Sequence, residues 1–237
     1  MFAKSFAVVI LSLAGLCVAQ TVVLAEGVTP ASASIDSTFS WQSATGKITH
    51  GPCGSQAHPI QINDCYGIQL SSNASQMLDQ GHLDSPRQRA EFLTMSIATG
   101  AFGYSWRSYL SSQTGTSNSF FHLMQVLSRD DGGPIITLNA VAGQVVVKDY
   151  VRANITSPSM SLSQFTDRTV IHRIKGVYSA NGSLDYRISD VNGTQLLRYT
   201  VATGNTGGHA SIKFGAYRKA FDGMTVVLAS VGDFNVI

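Results

Sequence analysis

Apolar and polar positions alternate over most of this chain, and turn residues interrupt the alternation every ten residues or so. A period of two is the pattern of a half-buried β-strand. The clearest stretch is a meander. Residues 168–178 alternate as a strand, Ser179-Ala180-Asn181-Gly182 turns, 183–189 forms the next strand, Asp190-Val191-Asn192-Gly193 turns again, and 195–201 returns. An Asn-Gly pair accepts positive φ at both central positions of a tight hairpin. Residues 135–140 and 144–151 make a second hairpin around Val141-Ala142-Gly143, and 224–230 reads as a buried strand. The Ser-, Thr- and Ala-rich stretch 20–40 is either a loose leader or a first edge strand. There is no sustained helical period; one short helical turn fits 75–79. The Gly-rich segment 203–208 reads as a loop that borders a cleft. No repeat or linker divides the chain. The pattern predicts an all-β sandwich or jelly roll whose concave outer face offers a groove for a chain-like ligand.

The first residues change the picture only by subtraction. Lys4, the apolar run 7–16 and the small-x-small site Cys17-Val18-Ala19 read as a signal peptide over residues 1–19, which leaves one domain at 20–237. The apolar run is too short to span a membrane. A secreted, extracellular protein is expected. Cys17 leaves with the signal, so Cys53 and Cys65 remain as a pair, expected to form one disulfide in an oxidising compartment. Four N-glycosylation sequons begin at Asn73, Asn154, Asn181 and Asn192. Charged residues make up 13% of the chain and the formal net charge is +2. With no basic run, nucleic acid is not an expected partner, and neither is a membrane.

Three segments carry candidate chemistry. In Arg87-Gln88-Arg89-Ala90-Glu91-Phe92, a strand puts Arg87, Arg89 and Glu91 on one face. Glu91 can hold one guanidinium, leaving the other to fork onto a substrate carboxylate. In Phe121-His122-Leu123-Met124-Gln125-Val126-Leu127, Gln125 is a mid-strand amide that needs partners. A regular strand points His122 to the opposite face, as a core histidine would be, and only a bulge would bring it round. In Lys213-Phe214-Gly215-Ala216-Tyr217-Arg218-Lys219, one face carries Lys213, Gly215, Tyr217 and Lys219: a phenol among cations, with Gly clearing room.

Together, Arg89-Ala90-Glu91, the Gln125 strand and Lys213-x-Gly215-x-Tyr217 resemble polysaccharide lyases of the family 7 alginate-lyase type, and more closely the family 20 glucuronan lyases. The resemblance covers most of the chain after residue 19. It implies a concanavalin A-like β-jelly roll with a concave substrate groove, and β-elimination on a uronic-acid polymer. One position departs from the alginate-lyase pattern: Leu127 stands where that pattern has a His. His82 is the first candidate for the missing residue, with His50 and His122 behind it.

Elimination requires the C5 carboxylate charge to be offset, H5 removed and the O4 leaving group protonated. Gln125 and Arg89 suit the first task, with Arg87, Lys213 and His122 as further substrate contacts. Tyr217 suits protonation of O4, and either Tyr217 or a neutral His82 takes H5. No cofactor is required by this scheme, though loop oxygens of Asp130 and Asp131 offer a structural Ca²⁺ site. The expected partner is an acidic polysaccharide, bound by a monomer. Two other readings stand beside the lyase. A lectin-like module would use Phe102, Tyr104 and Trp106 as a sugar platform unless they form a core stripe. A glycoside hydrolase would need two carboxylates flanking one bond, and no strand offers them.

Overall fold

The period-two pattern folds into antiparallel strands throughout. The structure, a computed structural model, describes residues 20–27, 31–54, 58–152 and 155–237; residues 1–19, expected to be a signal peptide, and Asn154 lie outside them. In chain order the strands are β1 (Val22–Glu26), β2 (Ala31–Ser34), β3 (Phe39–Ala44), β4 (Lys47–His50), β5 (Cys65–Leu70), β6 (Arg87–Thr94), β7 (Ile97–Ala98), β8 (Gly100–Leu110), β9 (Phe121–Ser128), β10 (Pro134–Val141), β11 (Gln144–Asp149), β12 (Ser159–Ser161), β13 (Thr169–Tyr178), β14 (Gly182–Asp190), β15 (Gln195–Gly204), β16 (His209–Lys219) and β17 (Val227–Val236). Helix is confined, among the described residues, to a 3₁₀ turn at Gln80–His82 and the four residues Leu162–Phe165. No described helix is long and apolar enough to cross a membrane.

Two sheets stack as a β-jelly-roll sandwich. One runs β1-β4-β5-β17-β8-β13-β14-β15. The other runs β12-β11-β10-β9-β16-β6-β3-β2, with β7 paired to β16. Their inner faces meet in one apolar core. Trp106 of the first sheet stacks on Phe214 of the second, with centroids 4.6 Å apart. Phe102, Tyr104 and Trp106 are all buried, so this stripe is core and is not a sugar platform. Each such side chain contributes about 1.5–3 kcal/mol by leaving water. His172 lies flat against Trp106 and is wholly buried. Its Nδ1 meets the Tyr186 hydroxyl and its Nε2 meets Ser108 Oγ, both at 2.8 Å. Burial pushes its pKa down to about 3, so it is a neutral core histidine.

Several local expectations change. Neither Asn181 nor Gly182 adopts positive φ, so their turn is not the mirror-type hairpin. Gly is needed at 182 because a Cβ would run into the Val177 carbonyl and the Thr206 hydroxyl. Thr206 is fully buried and donates to Val177 O at 2.6 Å, so the 203–208 segment is pinned beneath the meander. The helical turn sits at 80–82 and not 75–79, because Asp79 caps it through Gly81 N. Residues 22–26 form an edge strand. Cys53 and Cys65 are joined, with Cα atoms 5.5 Å apart.

Candidate functional site

The outer face of the second sheet carries the candidate chemistry. On β6 the even residues Gln88, Ala90 and Phe92 are fully buried, and Arg87, Arg89 and Glu91 project from the other face. β16 lies antiparallel beside it, pairing Tyr217 with Arg89, Gly215 with Glu91 and Lys213 with Leu93. On its other side β16 meets β9, pairing Lys213 with Gln125. The three predicted segments are therefore adjacent strands, although 34 residues separate Glu91 from Gln125 and 130 separate Arg87 from Tyr217 along the chain.

A bulge decides which histidine joins them. The β16–β9 register shifts between Phe214 and Tyr217, so Tyr217 pairs with His122. The β10–β9 register shifts at the same place, and Asn139 pairs with His122 while Thr137 pairs with Gln125. Between Gln125 and His122, β9 takes three steps where β10 takes two and β16 takes four, which puts His122 on the face of Gln125. This corrects the regular-strand expectation, which placed His122 on the opposite face. Gly215 has φ +134°, and a Cβ there would collide with the Ala90 carbonyl oxygen. Glycine is required at this point for backbone conformation and close approach to β6, more than to clear room for a ligand.

The floor of the site is buried and polar. Gln125 Nε2 donates to Glu91 Oε1 at 2.6 Å. Glu91 thus holds the amide and not an arginine, contrary to expectation. Glu91, Gln125 and Lys213 are 2%, 5% and 7% exposed. Glu91 Oε2 and Arg89 Nε are buried without hydrogen-bond partners. Burial lowers the Lys213 pKa, with the charge of Glu91 opposing it. Lys213 has no carboxylate within 4.0 Å among the described residues, and the register sets it opposite Gln125.

Arg89 is held by Asp79, a residue the sequence reading passed over. Asp79 Oδ2 accepts from an Arg89 Nη and lies 2.9 Å from His82 Nδ1, and its Oδ1 accepts from Gly81 N at 3.1 Å. Burial pushes this carboxyl up, but Arg89, the Gly81 amide and His82 outweigh it and hold it below the usual range. The only signal in the sequence was an Asp two residues ahead of a Gly, an Asx-type cap. His82 sits on the outside of this ion pair with its side chain 43% exposed.

Tyr217 occupies the other end of the site. Arg87 Nη1 donates to its hydroxyl oxygen at 2.9 Å, and the Arg89 guanidinium lies 4.6 Å from its ring centroid. Phe120 and His122 flank the ring at 5.2 and 5.7 Å. His122 Nδ1 is 2.6 Å from Asn139 Oδ1, and Asn139 Nδ2 donates to Thr137 Oγ1 at 2.5 Å. That chain orients the amide, so a neutral His122 donates from Nδ1 and keeps the Nε2 lone pair free. Burial, opposed by the Asn139 bond and reinforced by Lys148 and Arg87, pushes the His122 pKa down to about 4.

The remaining candidates lie elsewhere. His50 is on β4 of the other sheet, 2.7 Å from Asp64 and stacked on Tyr66. Asp131 accepts from Gly133 N in its own turn. No group of three His, Cys, Asp or Glu side chains is placed to hold a metal ion among the described residues. Asn73, Asn181 and Asn192 are exposed. Arg218 lies on the other face of β16 from Tyr217 and is 1% exposed. It donates to Gln88 Oε1 and to Ser71 O, and Gln88 donates to the Asn73 and Gln76 carbonyls. The pair thereby anchors the loop that leads to Asp79.

No protein-family model matches the chain, and no curated protein does. Solved structures do. An endo-β-1,4-glucuronan lyase from the fungus Trichoderma reesei superposes with a TM-score of 0.55 at 9% identity, over 89% of this chain and 91% of that one. The family 7 alginate lyase A1-II′, in complex with substrate, gives 0.53 at 12% identity over 78% and 82%. The cellulose-induced protein Cip1 gives 0.50 at 10% identity over 90% and 92%. The chain shares the fold of polysaccharide lyases of the alginate- and glucuronan-lyase kind.

Proposed function

We propose that this protein is a secreted polysaccharide lyase that cleaves a glucuronan-type uronic-acid polymer by β-elimination. The observation that carries the reading is the pairing of Tyr217 with His122 on one outer sheet face, each already oriented by a neighbour. Tyr217 accepts a hydrogen bond from Arg87, which leaves its own hydroxyl proton to donate. His122 donates to Asn139, which leaves Nε2 to accept.

In this scheme His122 Nε2 takes H5. The C5–H electrons form the C4=C5 bond, the C4–O4 bond breaks, and Tyr217 delivers its proton to O4. Solvent then restores both groups. The substrate carboxylate lies toward Gln125, Lys213 and Arg89, whose donors strengthen as negative charge builds on the enolate oxygens. His122 is assigned as the base in preference to His82 because His82 reaches Tyr217 only through Asp79 and Arg89. His82 and Asp79 then serve to position Arg89. The low pKa of His122 keeps it neutral at neutral pH, as a base must be. The choice of a glucuronan-type substrate is supported by the likeness to the Trichoderma reesei enzyme. The A1-II′ form seen with substrate has one His and one Tyr replaced, which accords with a His–Tyr pair at the cleavage point. The disulfide accords with an oxidising, extracellular setting.

The test is ultraviolet detection of the unsaturated product from glucuronan, alginate, pectate and hyaluronan. Turnover is expected on glucuronan. Tyr217→Phe and His122→Gln should each lower kcat by about 10²–10⁴-fold, with the thermal midpoint preserved. A Tyr217→Phe protein that cleaves at nearly the parental rate removes Tyr217 from the mechanism. Binding of these polymers with no turnover on any of them makes the protein a lectin.

A further inference from the structure

The opposite side of the sandwich carries a second set of cations that the reaction does not use. Register aligns Arg173 of β13 with Arg187 of β14, and Arg187 with Arg198 of β15. Lys175 stands opposite Asp185 one pair further on. All four cations are exposed. Neighbouring strands lie about 4.8 Å apart, so the three guanidiniums form a row roughly 10 Å long across the sheet. Asp185 binds two of them, Arg187 at 2.6 Å and Arg198 at 3.0 Å. Arg173 and Lys175 have no carboxylate within 4.0 Å among the described residues. A depression of about 260 Å³ lies between Arg173, Lys175, Asp185, Arg187 and Ile237.

Like charges directly opposite one another destabilise a sheet. In a chain with only 16 Lys and Arg, four of them gather here, with Asp185 the one acidic side chain of the group. An anion laid across the row would offset that repulsion, and planar guanidiniums suit a carboxylate through paired N–H donors. The row is short, and no aromatic ring belongs to it. Nucleic acid bound with affinity draws on stacking platforms or on a longer run of phosphate contacts. Thr200, opposite Asp185, supplies a hydroxyl suited to a sugar.

We propose that this row is a second, non-catalytic binding site for a carboxylated polysaccharide chain. The choice of a uronic-acid polymer rests on the proposed function. A long polymer held here raises its effective concentration at the groove on the other sheet, so the site acts on long chains and not on short ones.

Affinity electrophoresis in native gels containing glucuronan tests this without turnover, using full-length protein carrying Tyr217→Phe. Parent mobility should fall as polymer is added. Arg173→Gln with Lys175→Gln should weaken that retardation about tenfold. Asp185→Asn, which frees two arginines, should strengthen it, an outcome that misfolding does not produce. In the otherwise natural protein, Arg173→Gln with Lys175→Gln should leave kcat/KM on a short oligomer unchanged. Equal retardation of parent and double variant overturns the proposal. So does tighter binding of duplex DNA than of glucuronan. Patch-dependent retardation by a protein that cleaves no polyuronate supports this site and removes the lyase reading.

Discussion

The two outer faces of the sandwich are built from similar side chains under opposite conditions. On the β6–β16–β9–β10 face, Glu91, Gln125, Asn139 and Thr137 are almost wholly buried and are joined in short hydrogen-bonded chains. On the β13–β14–β15 face, Arg187 and Arg198 are 47% and 44% exposed and share Asp185 in water. A polar group out of water has to be matched by a specific partner, whereas an exposed one is matched by solvent. The first face is therefore rigid and specified, and a missing partner there is costly. Its unpartnered atoms, Glu91 Oε2 and Arg89 Nε, mark where the structure leaves hydrogen-bonding capacity unused on that face. The second face is cheap to alter and able to rearrange around whatever binds it.

The contrast can be broken most directly through its two acids. Asp79→Ala leaves Arg89 buried beside an unpaired cavity, and should cost about 3–5 kcal/mol of unfolding free energy in urea titrations. If Asp79→Ala costs under 1 kcal/mol, the buried face is no more specified than the exposed one. A smaller effect comes from pH. His122 has a folded pKa of about 4 against about 6.5 unfolded, so between those values the unfolded chain binds one more proton. Its contribution is complete above pH 6.5 and is lost as pH falls toward 4; His172 acts with the same sign down to about 3. Stability measured at pH 7 and pH 5 should fall with a slope that His122→Gln reduces by up to about 1.4 kcal/mol per pH unit. A slope unmoved by that substitution contradicts the burial of His122. The smallest effect is expected on the exposed face, where Asp185→Ala should change stability by less than about 1 kcal/mol.

Much of the fold was legible along the chain because it rests on local rules. The meander from Thr169 to Gly204, the hairpin around Val141-Ala142-Gly143 and the alternation of Arg87, Arg89 and Glu91 against Gln88, Ala90 and Phe92 all follow from the two-residue period. The Cys53–Cys65 bond followed from counting. The site was legible only as three strands. Asp79 escaped notice because its role arises from a capped turn folding over Arg89, a contact between separate elements. The partner of Glu91 was misjudged because two arginines are its neighbours in sequence and Gln125 is its neighbour in space.

By itself the sequence determined the meander, the hairpin around Val141-Ala142-Gly143, the alternation that gives three further strands a polar face, and that a phenol, an amide and a guanidinium stand on those three strands. The tertiary structure alone decided that His122 would join them. That turns on a register slip on both sides of β9, which has one residue more than β10 and one fewer than β16 between Gln125 and His122. A period of two carries no information about where a neighbouring strand will force that period to slip.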